Sequence, residues 1–247
     1  MTSGKGRGGP GPRGNARGNP RGEGRGLSVR VKTARGRKVG STRWLQRQLN
    51  DPYVRRAKAE GLRSRAFFKL SELDERFHLL KPGMKVVDLG AAPGGWTQYA
   101  VDKVRAGQNG GGAVVALDIN AWEHVTNATC ITLDFLDPTA PDKLKAALDG
   151  QADLVLSDMA APTTGHPGTD HLRIMMLAEA AWMFAETVLA PGGAFVCKVF
   201  QGGTEKDLLN QIKAKCAQVR HAKPPASRKE SAEVYLVATG FDPSRKP

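Results

Sequence analysis

The chain has 247 residues, 40% of them hydrophobic, enough for one full-sized core or, by length alone, two small domains. It contains no run of 18 apolar residues and no apolar segment behind its basic N-terminus, so a membrane span and a secretory signal are excluded and a soluble, cytoplasmic protein is expected. Of the formal charge of +13, residues 1–50 carry +12, with 13 Lys and Arg against the single acid Glu23, so the basicity belongs to the leader.

Beyond Met1, residues 1–26 are Gly, Arg, Pro, Asn and other small or polar types, with no large apolar side chain before Leu27. Such a stretch cannot bury enough surface to offset its ordering entropy, and disorder is expected. Arg-Gly runs bind nucleic acid through phosphate charge with little sequence discrimination, which favours RNA contact over a solubilising tail. Residues 1–40 are therefore read as a basic Gly/Arg-rich leader and 41–247 as the folded domain.

From Trp44 to Leu80 the spacing predicts helix, first through Trp44, Leu45 and Leu49, then through Ala66, Phe67, Leu70 and Leu73. A basic stripe of Arg55, Arg56, Lys58, Arg63, Arg65 and Lys69 runs along it and leads into the motif region, so a substrate-facing surface is expected. After Pro82-Gly83, strands are predicted at Lys85–Leu89, Ala113–Ile119, Thr129–Leu133, Asp153–Ser157, Ala194–Phe200 and Glu233–Ala238. Helices are predicted between them at Gly95–Val104, Pro141–Leu148, Leu172–Leu189 and Glu205–Gln218. Short apolar runs separated by helices imply a Rossmann-like α/β domain, a mostly parallel sheet with helices on both faces. The cysteines Cys130, Cys197 and Cys216 fit no zinc spacing and no disulfide framework, and the five histidines form no cluster, so no metal is expected.

The first strand ends in Asp88-Leu-Gly-Ala-Ala-Pro-Gly-Gly-Trp96 and passes into a helix, the arrangement by which open α/β sheets bind nucleotides at their carboxyl edge. The spacing is not GxGxxG, so the turn that grips a pyrophosphate is absent. Acids stand at successive strand ends. Asp88 heads the loop, where a cofactor with an ammonium and a sulfonium but no phosphate finds a partner. Asp118 suits a ribose diol and Asp134 an adenine amino group. This favours S-adenosylmethionine over a nicotinamide dinucleotide.

Farther along, Lys198 lies inside an apolar strand, expensive unless paired or functional. With Lys69, Asp158 and Glu233 it makes a Lys–Asp–Lys–Glu set near the carboxyl edge of the sheet. A lysine accepts a proton only where part of that lysine is neutral, which calls for desolvation or a neighbouring cation. The rival, base-carbon methylation through a cysteine, has Cys130 and Cys197 as candidates, but Cys197 precedes Lys198 in a strand and points to the opposite face.

The segments Arg63-Ser-Arg-Ala-Phe-Phe-Lys69, Lys81-Pro-Gly-Met, Asp88 to Trp96, Ser157-Asp-Met-Ala, Ala190-Pro-Gly-Gly, Lys198-Val-Phe-Gln-Gly and Glu233-Val-Tyr-Leu-Val-Ala-Thr-Gly occur in the order of the FtsJ-like RNA 2′-O-methyltransferases, which the chain resembles over residues of about 41–245. The resemblance implies a seven-stranded Rossmann-like methyltransferase fold, S-adenosylmethionine as methyl donor, and as substrate the 2′-hydroxyl of a uridine in 23S rRNA, within the large ribosomal subunit, modified by a monomer. It assigns Gly94, Trp96, Asp118, Asp134 and Asp158 to the cofactor, and Lys69, Asp158, Lys198 and Glu233 to catalysis, with Lys198 as proton acceptor. The chain departs from the family pattern at Ala161, inserted before Pro162, and at Thr163, where the family has Asn. Another RNA such as tRNA, or a non-catalytic ribosome-assembly factor on the same fold, are the alternatives, and the second is disfavoured because all four catalytic positions are filled.

Overall fold

The computed structural model describes residues 1, 39–201 and 206–245; the expected leader lies almost wholly outside them. The helical N-terminal segment resolves into α1 (Val39–Asn50), α2 (Pro52–Ala59) and α3 (Ala66–Phe77). Asp51 caps α2 by accepting the backbone N–H groups of Tyr53 and Val54, with Pro52 pre-set for the first helical position. The remainder alternates β1 (Lys85–Leu89), α4 (Gly95–Val104), β2 (Ala113–Asp118), β3 (Thr129–Thr132), α5 (Ala140–Leu148), β4 (Ala152–Ser157), α6 (Pro167–Val188), β5 (Leu189–Phe200), α7 (Lys206–Lys215), β6 (Cys216–Ala222) and β7 (Glu233–Phe241).

The seven strands form one sheet in the order β3-β2-β1-β4-β5-β7-β6. The first five in that order are parallel, while β7 runs antiparallel to both β5 and β6. Strand alternation sends successive side chains to opposite faces. Val87, Leu89, Val155, Phe195, Cys197 and Leu236 pack with α5, α6 and α7 around Trp182. Val86, Leu154, Leu156, Val196, Tyr235 and Val237 pack with α3 and α4 around Leu70, Trp96 and Tyr99. The expected doubly covered sheet is present.

One expectation fails. The predicted helix Glu205–Gln218 ends at Lys215, and Cys216 to Ala222 form an edge strand instead. Backbone pairing with β7, from Cys216↔Phe241 to Ala222↔Tyr235, overrides the local pattern. An edge strand half open to water carries no clean period-2 signal, so its sequence does not announce it.

Candidate active site

The antiparallel β7 decides where the polar residues meet. The parallel strands present their carboxyl ends at one edge of the sheet, and β7 reaches that edge with its first residue, Glu233, paired with Phe200 near the end of β5. Lys198 pairs with Tyr235 in the same ladder. By alternation Lys198, Tyr235 and Glu233 share the face that holds α3, the helix carrying Lys69, and Asp158 follows directly on β4.

The four expected catalytic side chains come together. Lys69 Nζ lies 2.8 Å from Glu233 Oε1 and 3.8 Å from Asp158 Oδ2, and Lys198 Nζ lies 3.1 Å from Asp158 Oδ1. Lys198 also donates to the Asp158 carbonyl at 2.7 Å, which fixes the ammonium against both ends of one residue. The side chains are 7% to 18% exposed, so these pairs are poorly screened.

Tyr235 stands at the centre, a role its place in an apolar strand did not reveal. Its hydroxyl lies 2.8 Å from Asp158 Oδ1 and 3.2 Å from Glu233 Oε1, and it accepts from Lys69 at 3.1 Å. Ser227 adds a second unforeseen bond, donating to Glu233 Oε1 at 2.9 Å. A phenol two residues along the strand from an expected catalytic residue, Glu233, was the available signal.

The electrostatics follow from this geometry. Burial pushes Asp158 up, but Lys198 and Lys69 beside it, with the Tyr235 hydroxyl, outweigh that and hold its carboxyl below the usual range. Burial pulls Lys69 down, yet Asp158 and Glu233 outweigh it and the ammonium is held above its ordinary value. Burial and the two carboxylates push the Tyr235 phenol far up, so it stays protonated. Cys130 and Cys216 are also pushed up by burial, Cys216 to about 11, and Cys197 is buried on the opposite face, which disfavours the cysteine chemistry.

Beside the cluster lies a cleft of about 320 Å³ at the same edge, lined among others by Gly90, Asp118, Ile119, Asp134, Leu136 and Met159. Asp158 and Met159 are consecutive, so one turn of chain carries the chain from the cluster into the cleft wall. Asp118 Oδ1 accepts from the backbone and side chain of Asn120 at 2.7 and 3.0 Å, and Oδ2 from Ala92 N–H at 2.9 Å. Asp134 Oδ1 accepts from Leu136 N–H at 2.9 Å. A Cβ on Gly90 would stand 2.7 Å from the Met159 backbone, so glycine is required where the two loops touch. Exposed Ile119 and Leu136 supply apolar walls.

These residues suit S-adenosylmethionine: a flat base between apolar walls, oriented carboxylates for a diol and an amino group, and Arg173 as the one cation among the lining residues, which is no cradle for a pyrophosphate. Of the other expected cofactor residues, Asp158 adjoins the cleft, while Gly94 and Trp96 lie on the α3 side of the loop. Trp96 donates its indole N–H to Ala66 O at 2.9 Å and packs on Tyr235, ring centroids 5.5 Å apart. Asp88, expected to meet the cofactor's ammonium, is fully buried and accepts from Thr97 Oγ1 at 2.6 Å. The basic stripe divides: Arg55, Arg56 and Lys58 are exposed, whereas Arg63, Arg65 and Lys69 turn inward.

Fold and site together define a Rossmann-like methyltransferase. The FtsJ-like methyltransferase model matches residues 62–241, and the chain belongs to that family, with S-adenosylmethionine as its methyl donor. It is 69% identical to the ribosomal RNA large subunit methyltransferase E of Rhodospirillum rubrum over 91% of this chain and 86% of that one. It is 66% identical to the protein of the same name from Paramagnetospirillum magneticum, over 88% and 89%. The first match spans 225 residues, so it extends into the leader, which the motif resemblance did not reach. A crystal structure from Plasmodium falciparum described as a ribosomal RNA methyltransferase is 28% identical, with TM-score 0.64 over 72% of this chain and 98% of that one.

Proposed function

We propose that the protein methylates the ribose 2′-hydroxyl of a uridine in the 23S rRNA of the large ribosomal subunit, with Lys198 as proton acceptor. The observation that carries the reading is the Lys69, Asp158, Lys198 and Glu233 cluster, joined through Tyr235 and abutting the cleft. The names of the close relatives supply the RNA.

Bound in the cleft, S-adenosylmethionine supplies an electrophilic methyl group on a sulfonium. Asp118 and Asp134 would hold its ribose and base, and the protein's remaining work is alignment and proton removal. Lys198 takes the hydroxyl proton as the oxygen attacks. Asp158 orients Lys198 by accepting from it at two atoms, and Glu233 orients Lys69, whose retained charge favours an incipient alkoxide. Tyr235 accepts from Lys69 and donates its one proton to a carboxylate, Asp158 at 2.8 Å being the nearer acceptor.

Mapping 2′-O-methylation across all rRNA and tRNA of a deletion strain tests this. The expected result is loss at one uridine of 23S rRNA, restored by wild type and not by Lys198→Ala. Loss in tRNA redirects the substrate, and restoration by Lys198→Ala removes Lys198 as the proton acceptor.

The domain division rests on charge. Residues 1–40 are proposed as an RNA-contacting leader ahead of the methyltransferase domain at 41–247. Deleting 1–40 is expected to weaken RNA affinity and flatten its salt dependence, with turnover at saturating RNA nearly unchanged. An unchanged salt slope returns the leader to a solubilising tail.

A further inference from the structure

Arg63 belongs by sequence to the basic stripe, where each cation reads as a phosphate contact. The structure commits it elsewhere. Its guanidinium donates to the carbonyls of Glu123 and His124, the latter at 2.7 Å, with a longer contact to Pro93 O at 3.4 Å. Its backbone N–H donates to Gln98 Oε1 on α4 at 3.0 Å. One residue thereby ties together the α2–α3 connection, the cofactor loop and the segment that follows β2.

The packing around it is equally close. Gly94 is at φ 103°, and a Cβ there would lie 2.9 Å from each of Arg63 Cδ, Trp122 and Val125. A Cβ on Gly95 would meet Ser64 and the Phe67 backbone. Both glycines therefore admit the 63–67 segment and not only a ligand, which the motif alone did not distinguish. On the RNA side, Leu62 N–H donates to Ala57 O at 2.8 Å and Leu62 packs with Ala57, so α2, with exposed Arg55, Arg56 and Lys58, is joined to Arg63 without slack. On the cofactor side, the carbonyls that Arg63 holds lie three and four residues beyond Asn120, which braces Asp118 and lines the cleft.

We propose that Arg63 is a positioning residue that couples the RNA-facing helices to the cofactor cleft, so that RNA and S-adenosylmethionine favour each other's binding. This rests on the reading of the cleft as the cofactor site and of α2 as an RNA-facing element. RNA that settles on α2 sets the α2–α3 connection, Arg63 transmits that setting to residues 120–125, and Asp118 and Asn120 take the cofactor-binding arrangement. By linkage the effect is reciprocal.

Equilibrium dialysis of tritiated S-adenosylhomocysteine against the full chain, with and without undermethylated large ribosomal subunits, measures this without turnover. In wild type the subunits are expected to tighten binding about fivefold or more, within the usual span of coupling between sites. Arg63→Ala is expected to weaken binding without RNA on the order of tenfold, for the loss of charge-assisted bonds, and to bring the ratio with and without RNA close to one. Arg63→Met keeps the aliphatic stem beside Gly94 but has no donor for either carbonyl, and is expected to lose coupling. Arg55→Ala is the contrast, weakening RNA binding with cofactor affinity unchanged. Circular dichroism and melting identify a misfolded Arg63→Ala, in which case Arg63→Met decides. Full coupling in Arg63→Met, or an Arg63→Ala that weakens RNA binding alone, overturns the proposal. Wild type that binds no S-adenosylhomocysteine overturns the cleft reading beneath it.

Discussion

Asp88 and Asp158 stand at the carboxyl ends of neighbouring strands, β1 and β4, and differ in almost everything else. Asp158 N–H donates to Leu89 O at 3.0 Å, so the two backbones are in direct register. Asp158 has Lys198 at 3.1 Å, Lys69 at 3.8 Å and the Tyr235 hydroxyl at 2.8 Å, and is held below the carboxylate range against the pull of burial. Asp88 is fully buried with Thr97 as its side-chain partner, and among the described residues its Oδ1 has no hydrogen-bond partner. Burial, aided by the charges of Asp158 and Asp118, pushes it up to about 7. A strand-end position brings an acid to the site, but the cations facing it set its charge.

The largest effect should come from stripping the charged side of this pair. Lys198→Ala is expected to slow single-turnover methyl transfer by ~10²–10⁴-fold, the range for a general base, with cofactor and RNA affinity within a few-fold of wild type. Lys198→Arg should not rescue, because guanidinium stays protonated at any usable pH. A fast Lys198→Arg enzyme would show that the site needs positive charge alone. The same change also makes Asp158 more like Asp88. A depressed carboxylate contributes stability above its unfolded value near 4 and loses it as pH falls through the folded one. Acid denaturation of Lys198→Ala should therefore lose part of the wild-type slope at low pH.

Smaller losses are expected around Lys69. Glu233→Ala removes the acceptor at 2.8 Å but leaves Asp158, so the rate should fall on the order of tenfold, less than for Lys198→Ala. Tyr235→Phe removes only the bridging hydroxyl, and a drop of roughly threefold is expected with the pH–rate profile unmoved, because a phenol held far above its usual range does not titrate there. An alkaline limb that disappears in Tyr235→Phe would make the phenol a proton carrier.

The same contrast explains what could be read in advance. The sheet, and the acids at 88, 118, 134 and 158, were legible because strand periodicity and the position of an acid after an apolar run are local signals. The meeting of Lys69 with Glu233 is not local. It depends on β7 running antiparallel, and family resemblance, not periodicity, pointed to it. Tyr235 and Ser227 were hidden for opposite reasons, one reading as core and the other as loop. Arg63 and Arg65, expected on a substrate-facing stripe, turn inward, because sequence shows the cation but not the carbonyl groups or the carboxylate of Asp51 that receive it. Asp88 was placed at the right loop, but its burial beneath Thr97 depends on α4 packing over β1.

The smallest effect, on stability, tests the uncharged side. Asp88 folded keeps its proton up to about pH 7, whereas unfolded it releases it near 4. Between those values the native state binds the extra proton, so the sign of the linkage makes stability fall as pH rises, levelling off above about 7. Asp88→Asn cannot ionise, yet its carbonyl can still accept from Thr97. Its melting temperature relative to wild type should therefore rise between pH 5 and pH 8, by roughly a few degrees for a domain of this size. Asp158 provides the internal control, since its stabilisation is already complete across that window and both proteins share it. Parallel melting curves from pH 5 to 8 would mean that Asp88 is ionised in the folded protein, and the contrast between the two strand ends would then rest on geometry without a difference in charge.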